Sequence, residues 1–156
     1  MDNYSNGRLL VTIQFILLGG LVFISSPDIF ANNSVMNNVG GVLELLGFVV
    51  VILGFFGLGK SLTANPVPLK QAKLITKGIY SRVRHPIYFG LMLATLGMTL
   101  SSGSQIKFVF WVLLVSLFLF KIKFEEAMLL RTYPDYQKYM EKVPGLIPNL
   151  ILKRSK

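Results

Sequence analysis

The sequence predicts an all-α, polytopic integral membrane protein with four transmembrane helices and both termini in the cytoplasm. Three observations predict it. Four apolar runs stand out, at residues 9–24, 39–58, 87–100 and 106–120. Apolar residues make up 53% of the chain and the mean hydropathy is +0.59, too much for an ordinary soluble domain to bury. All the lysines and arginines but Lys107 lie outside the runs and fall on one side of a membrane. The 156 residues suit a single membrane-embedded domain spanning 1–156.

The first run predicts a span over about 9–26. A cleaved signal peptide is the alternative, with Arg8 before the run and Ser25 and Ser26 after it. The run is long for that role, and Pro27 follows the small residues at once. The second run predicts a span over 39–58, long enough at ~1.5 Å per residue to cross a ~30 Å hydrocarbon core. Glu44 lies inside it, one to two turns from the outer end. It either reaches the interface or marks a buried functional group.

The third and fourth runs predict spans over 86–100 and 105–120. At about 15 residues each they cross only with flanking polar residues, local thinning or shielding neighbours. They read as a helical hairpin turning at Ser101, Ser102, Gly103 and Ser104. A buried or re-entrant pair in a soluble core is the alternative, disfavoured because the four runs leave so little polar surface.

Charge sets the orientation. With the N-terminus in the cytoplasm and four spans, Lys107 alone among the 16 lysines and arginines falls outside. That is a strong positive-inside asymmetry, and it favours an even number of spans. The cytoplasmic parts are then the loop at 59–85 and the tail at 121–156. The fourth helix is expected to continue through Glu125 and Glu126 to about Arg131. Pro134 then opens a short helix, with Asp135 early and Lys138 and Lys142 late, matching the helix dipole. Pro144 and Gly145 end it. Leu150, Ile151 and Leu152, followed by Lys153, Arg154 and Lys156, are expected to rest on the membrane surface.

The formal net charge is +9. On a soluble chain that points to nucleic acid. Here the lipid bilayer, with its anionic surface, is the expected partner and nucleic acid is not. The absence of cysteine excludes disulfides, thiol nucleophiles and iron–sulfur clusters. One histidine and seven carboxylates make a protein-built metal site unexpected.

The single histidine, His85, sits in the basic stretch from Gly78 to Gly90 and leads into the third run. Pro86 after it has a pre-set φ and no N–H, so it suits the first position of a helix. His85 is pushed out of helical geometry. The helix mouth then presents free N–H groups and a positive dipole end, suited to a small anion such as a carboxylate. Tyr88, three residues on, shares the side of His85. The hairpin brings the ends of the third and fourth helices together, so His85, Tyr88, Lys121 and Glu125 are expected to converge on one pocket. The alternative is plainer. Arg82 and Arg84 then anchor to lipid phosphates, His85 is a polar loop residue, and Glu125 and Glu126 form a solvated helix face. The methionines and the twelve phenylalanines are expected to pack or to face lipid.

The residues from Leu74 to Tyr80, the element Arg84-His85-Pro86-Ile87-Tyr88-Phe89-Gly90, the pair Glu125-Glu126, and then Tyr136, Tyr139 and Val143-Pro144 together resemble the isoprenylcysteine carboxyl methyltransferase family. That family belongs with the membrane phospholipid methyltransferases. The resemblance covers roughly residues 55 to 148, and its specificity comes from the combination of motifs. It implies an S-adenosylmethionine-dependent methyltransferase acting on a lipophilic acceptor at the cytoplasmic membrane face, with S-adenosyl-L-methionine as cofactor. It implies that Ala72, Lys73, Leu74, Ile75 and Tyr80 line the cofactor, that His85, Pro86, Ile87 and Tyr88 form a second wall, and that Glu125 is the acidic partner. Lys121 falls where the family's carboxyl methyltransferases carry a substrate-contacting arginine. A lysine is a point charge without the planar fork, so the acceptor is either a carboxylate or another lipid headgroup.

The expected roles agree with the chemistry. The helix mouth and His85 suit the cofactor's carboxylate, and Glu125 suits its ammonium or a ribose hydroxyl. Methyl transfer demands alignment. A carboxylate acceptor is already ionised at pH 7 and needs no general base. The expected partners are the bilayer and a lipophilic or lipidated acceptor. The expected location is multi-pass in a bacterial inner membrane or the endoplasmic reticulum, depending on the organism. The rival enzyme is an NADPH-dependent reductase of the sterol-reductase type. The rival that is not an enzyme is a small membrane scaffold or transport subunit.

Overall fold

The computed structural model describes residues 3–24, 33–59 and 74–148. Within them the chain is wholly helical: α1 (Asn3–Phe23), α2 (Ser34–Leu58), a 3-10 turn (Gly78–Ser81), α3 (Pro86–Ser102), α4 (Gln105–Thr132) and α5 (Tyr136–Lys142). Three helices are long and apolar enough to cross a membrane, α1 from Ser5, α2 and α4; α3 is a shorter apolar helix. The expected surface segment 150–156 and the residues after the first span lie outside the described residues.

The ends follow from local chemistry. Asn33 caps α2, its side chain accepting from the Val35 and Met36 amides at 3.0 and 3.4 Å. Gly59 ends α2 at φ 49°. Pro86 opens α3 behind His85 at φ −122° and ψ 61°, the non-helical geometry its position before proline demands. Gly103 ends α3 in the left-handed region, and Ser104 caps α4 by accepting from the Lys107 amide at 3.2 Å. The hairpin therefore turns on two residues, and the serines at 101 and 102 still belong to α3.

Two boundaries depart from expectation. α1 and α2 begin about five residues before their apolar runs, because the preceding residues hold helical geometry and, for α2, a cap waits at Asn33. The fourth helix runs on as expected: α4 has 28 residues and continues through the charged stretch to Thr132, one residue past Arg131. Ile122 and Met128 bury the inner face of that extension.

α2 and α3 run antiparallel at backbone contact. A Cβ at Gly40 would lie 2.6 Å from the Gly97 carbonyl oxygen, and one at Gly47 would lie 2.3 Å from the Ala94 nitrogen. The reciprocal contacts hold at Gly90 and Gly97. These glycines recur every seventh residue, at 40, 47 and 54 on α2 and at 90 and 97 on α3, and so stay on one face of each helix. α1 packs against α4 through the buried Leu21, Leu114 and Phe118, with Gly20 making room for the Phe110 ring. Trp111 on α4 donates its indole N–H to the Met92 carbonyl of α3 at 3.0 Å. The C-terminal end of α2, the N-terminal end of α3 and the C-terminal end of α4 thus meet at one end of the bundle.

Candidate functional site

At that end a cavity of about 510 Å3 opens between all four long helices. Tyr80, His85, Pro86, Ile87, Tyr88, Lys121 and Glu125 line it. These are seven of the residues the sequence singles out. Leu74 and Ile75 are half-buried and do not line it. Ala72 and Lys73 lie outside the described residues.

Each side chain has a local reason for its place. The 3-10 turn begins at Gly78, φ 62°, a backbone that disfavours a side chain. It swings Tyr80 inward, where the hydroxyl donates to the Gly54 carbonyl at 3.2 Å. Burial pushes the Tyr80 phenol well above its ordinary range, with the charge of Glu125 adding to the effect, so it stays a neutral donor. The carbonyl of Tyr80 accepts from the Tyr139 hydroxyl at 2.5 Å, joining the turn to α5.

Arg84 and His85 are pinned by the segment after α5. Their amides donate to the carbonyls of Pro144 and Gly145 at 2.9 and 3.0 Å. The Arg84 guanidinium then takes Glu126 in its fork, Nε and Nη2 both donating to Oε1 at 3.0 and 2.7 Å. Its Nη1 donates to the Met140 carbonyl at 3.1 Å and also to that of Val143. Arg84 is therefore not a lipid anchor. His85 donates from Nε2 to the same Glu126 oxygen at 2.9 Å, since a carboxylate can only accept.

Glu125 points the other way. Its Oε2 accepts from the Tyr88 hydroxyl at 3.1 Å and lies 4.0 Å from His85 Nδ1. The two glutamates have split their tasks: Glu126 braces the loop, and Glu125 presents a carboxylate to the cavity. Lys121 is 1% exposed. Its ammonium donates to the Gln14 carboxamide oxygen at 2.5 Å and sits 5.4 Å over the Tyr88 ring.

Sequence reasoning passed over the contribution of α1 and α2. Gln14, Phe15 and Leu18 of α1 and Phe55 and Leu58 of α2 complete the walls. The apolar ones carry no signal that separates them from lipid-facing neighbours. Gln14 does: it is an amide inside an apolar run, where a polar group needs a partner. The pairing of Arg84 with Glu126 had only opposite charge to announce it.

The chain has recognisable relatives. A family model described as phospholipid methyltransferase matches residues 35–136. A protein-S-isoprenylcysteine O-methyltransferase of Schizosaccharomyces pombe is 38% identical over 81 residues, covering 51% of this chain and 34% of that protein. A probable protein-S-isoprenylcysteine O-methyltransferase of Oryza sativa is 30% identical over 115 residues, covering 70% of this chain and 60% of its own. A nickel-cobalt-cadmium resistance protein of Alcaligenes xylosoxydans is 31% identical over 93 residues, covering 55% and 41%. The chain thus spans between about a third and three-fifths of the length of these relatives.

Proposed function

The chain belongs to the phospholipid methyltransferase family, and on that premise we propose that it transfers a methyl group from S-adenosylmethionine to a lipophilic acceptor at the cytoplasmic face of a membrane. The observation that carries the reading is the convergence of His85, Tyr88 and Glu125 on one cavity inside the matched segment.

The residues present fit such a cofactor. A cavity of about 510 Å3 is ample for a nucleoside-sized ligand. Glu125 spends one hydrogen bond on Tyr88 and keeps acceptor capacity for an ammonium or a ribose hydroxyl. Tyr80, His85, Pro86, Ile87 and Tyr88 would hold the cofactor. S-adenosylmethionine supplies an electrophilic methyl group on a sulfonium. The protein's own part is alignment and the exclusion of water: the Arg84–Glu126 brace fixes His85, and Phe15, Leu18, Phe55 and Leu58 give the cavity apolar walls. The acceptor's tail would enter sideways from the bilayer, and Lys121 would meet its head.

With four spans and both termini cytoplasmic, the orientation that the lysine and arginine distribution supports, the cavity would open on the cytoplasmic side. The partners in this reading are membrane lipid and a lipophilic or lipidated acceptor, in a bacterial inner membrane or the endoplasmic reticulum. The metal resistance in one relative's name is said of that protein and is not part of this reading.

Calorimetry on the purified chain tests the reading. S-adenosylhomocysteine is expected to bind, and His85→Ala and Glu125→Ala are each expected to weaken it about tenfold, the usual cost of a hydrogen bond to a charged group. Binding of a nicotinamide nucleotide in its place would favour a reductase. Wild-type affinity in both folded variants would move the site elsewhere.

A further inference from the structure

α1 lies outside the matched segment, residues 35–136, yet it brings a polar side chain to the cavity. Gln14 is 8% exposed and sits within an otherwise apolar stretch. That its oxygen rather than its nitrogen faces Lys121 follows from chemistry, because an ammonium has three donors and no lone pair. No carboxylate among the described residues lies within ion-pair distance of the Lys121 ammonium. Its contacts are a neutral amide oxygen and the face of Tyr88. Glu125, which lines the same cavity, attracts the ammonium only through space and beyond contact distance, so the cation is held in place without a bonded counter-charge, and a buried charge in that condition favours an arriving anion.

Glu125 is one turn along α4 from Lys121, the spacing at which the two side chains would ordinarily pair. The bond to Gln14 draws the ammonium to α1 instead. We propose that Gln14 is a positioning residue. It keeps the Lys121 ammonium off Glu125 and turned to the cavity, so that the pocket selects a lipophilic acceptor ending in an anionic oxygen group over one ending in an ammonium. That the selected group is a methyl acceptor rests on the function proposed above; the anion preference does not.

The test uses the full chain in detergent with two probes, an S-prenylated N-acetylcysteine and its methyl ester, beside S-adenosylhomocysteine. Wild type is expected to bind the acid about tenfold tighter than the ester. Gln14→Leu removes the tether. Gln14→Glu keeps the shape and the bond to Lys121 but neutralises the cation. Both are expected to lose most of the acid preference while S-adenosylhomocysteine affinity stays within about twofold. A Gln14 that only supports the fold predicts a retained preference in folded Gln14→Leu, and that result overturns the proposal; a retained preference in Gln14→Glu, where the cation has a contacting counter-charge, shows that Lys121 does not read the acid and overturns it too. So does equal binding of acid and ester by wild type. So does a loss of S-adenosylhomocysteine affinity as large as the loss for the acid, which would make Lys121 a cofactor ligand. An acid preference that disappears in Gln14→Glu, in a protein that binds no S-adenosylhomocysteine, supports the anion site and sinks the methyltransferase reading.

Discussion

Glu126 Oε1 accepts three hydrogen bonds, two from the Arg84 fork and one from His85. That single oxygen ties the loop before α3 to the far end of α4. The Arg84 and Glu126 side chains are 10% and 15% exposed, so solvent screens the pair little. Arg84→Ala strands a half-buried carboxylate and is expected to cost about 3 kcal/mol, seen as a fall in the melting temperature in detergent. Arg84→Lys should recover only part of it, because an ammonium cannot bridge Glu126 and the carbonyls of Met140 and Val143 at once. A nearby phenol supplies a pH signature. Burial pushes Tyr139 up to about 12, with the charge of Arg84 acting in the opposite sense. The folded protein therefore holds that proton more tightly than the unfolded chain, whose phenol titrates near ~10. The associated stability is complete below pH ~10 and is lost as the pH rises through the folded value. Tyr139→Phe should lower stability at neutral pH, by removing the bond to the Tyr80 carbonyl, and should flatten the alkaline loss. An alkaline melting series that is unchanged in the variant would dismiss this role.

The decisive element is the α2–α3 pair. Its glycines let two helices meet without intervening side chains, and that contact sets where the N-terminal end of α3, with His85 and Tyr88, stands beside the end of α2. Gly47→Ala places a methyl group 2.3 Å from the Ala94 nitrogen, which is backbone and cannot swing away. The helices must part, at an expected cost of about 1–3 kcal/mol. Gly41→Ala is the control: nothing lies within 4 Å of its Cβ, so it should be neutral or gain up to about 1 kcal/mol from helix propensity. Thermal melts of the two variants separate the packing effect from the propensity effect. Similar melts for both would mean that the glycine face does not hold the pair. The seven-residue glycine spacing was present in the sequence to be read, and its meaning is packing rather than chemistry. α4 teaches a different lesson about elements. Hydropathy stops at Phe120 while the helix runs on to Thr132, because helix continuity depends on backbone geometry and an inner apolar face and not on overall apolarity.

For the whole molecule, the proposed orientation makes one prediction that needs no ligand. Single cysteines introduced into this cysteine-free chain at Asp2 and Ser155 should label from the cytoplasmic side, and one at Ser102 from the opposite side. Labelling of both ends from outside would reverse the bundle and move the cavity to the other face. The sequence by itself determined the helical class, the apolar helices, the hairpin and its turn, and the gathering of His85, Tyr88, Lys121 and Glu125 at one end. Hydropathy, proline and glycine placement and charge are properties of neighbouring residues, and helices of known length carry them to predictable places. Only the tertiary structure decided which polar group takes which partner. Lys121 bonds Gln14 across 107 positions and not Glu125 one turn away; Arg84 takes Glu126 across 42. Such choices depend on which helix faces which, and on the cost of leaving a buried charge or amide unsatisfied once they have met. That cost arises only in the packed molecule, so no local pattern records it.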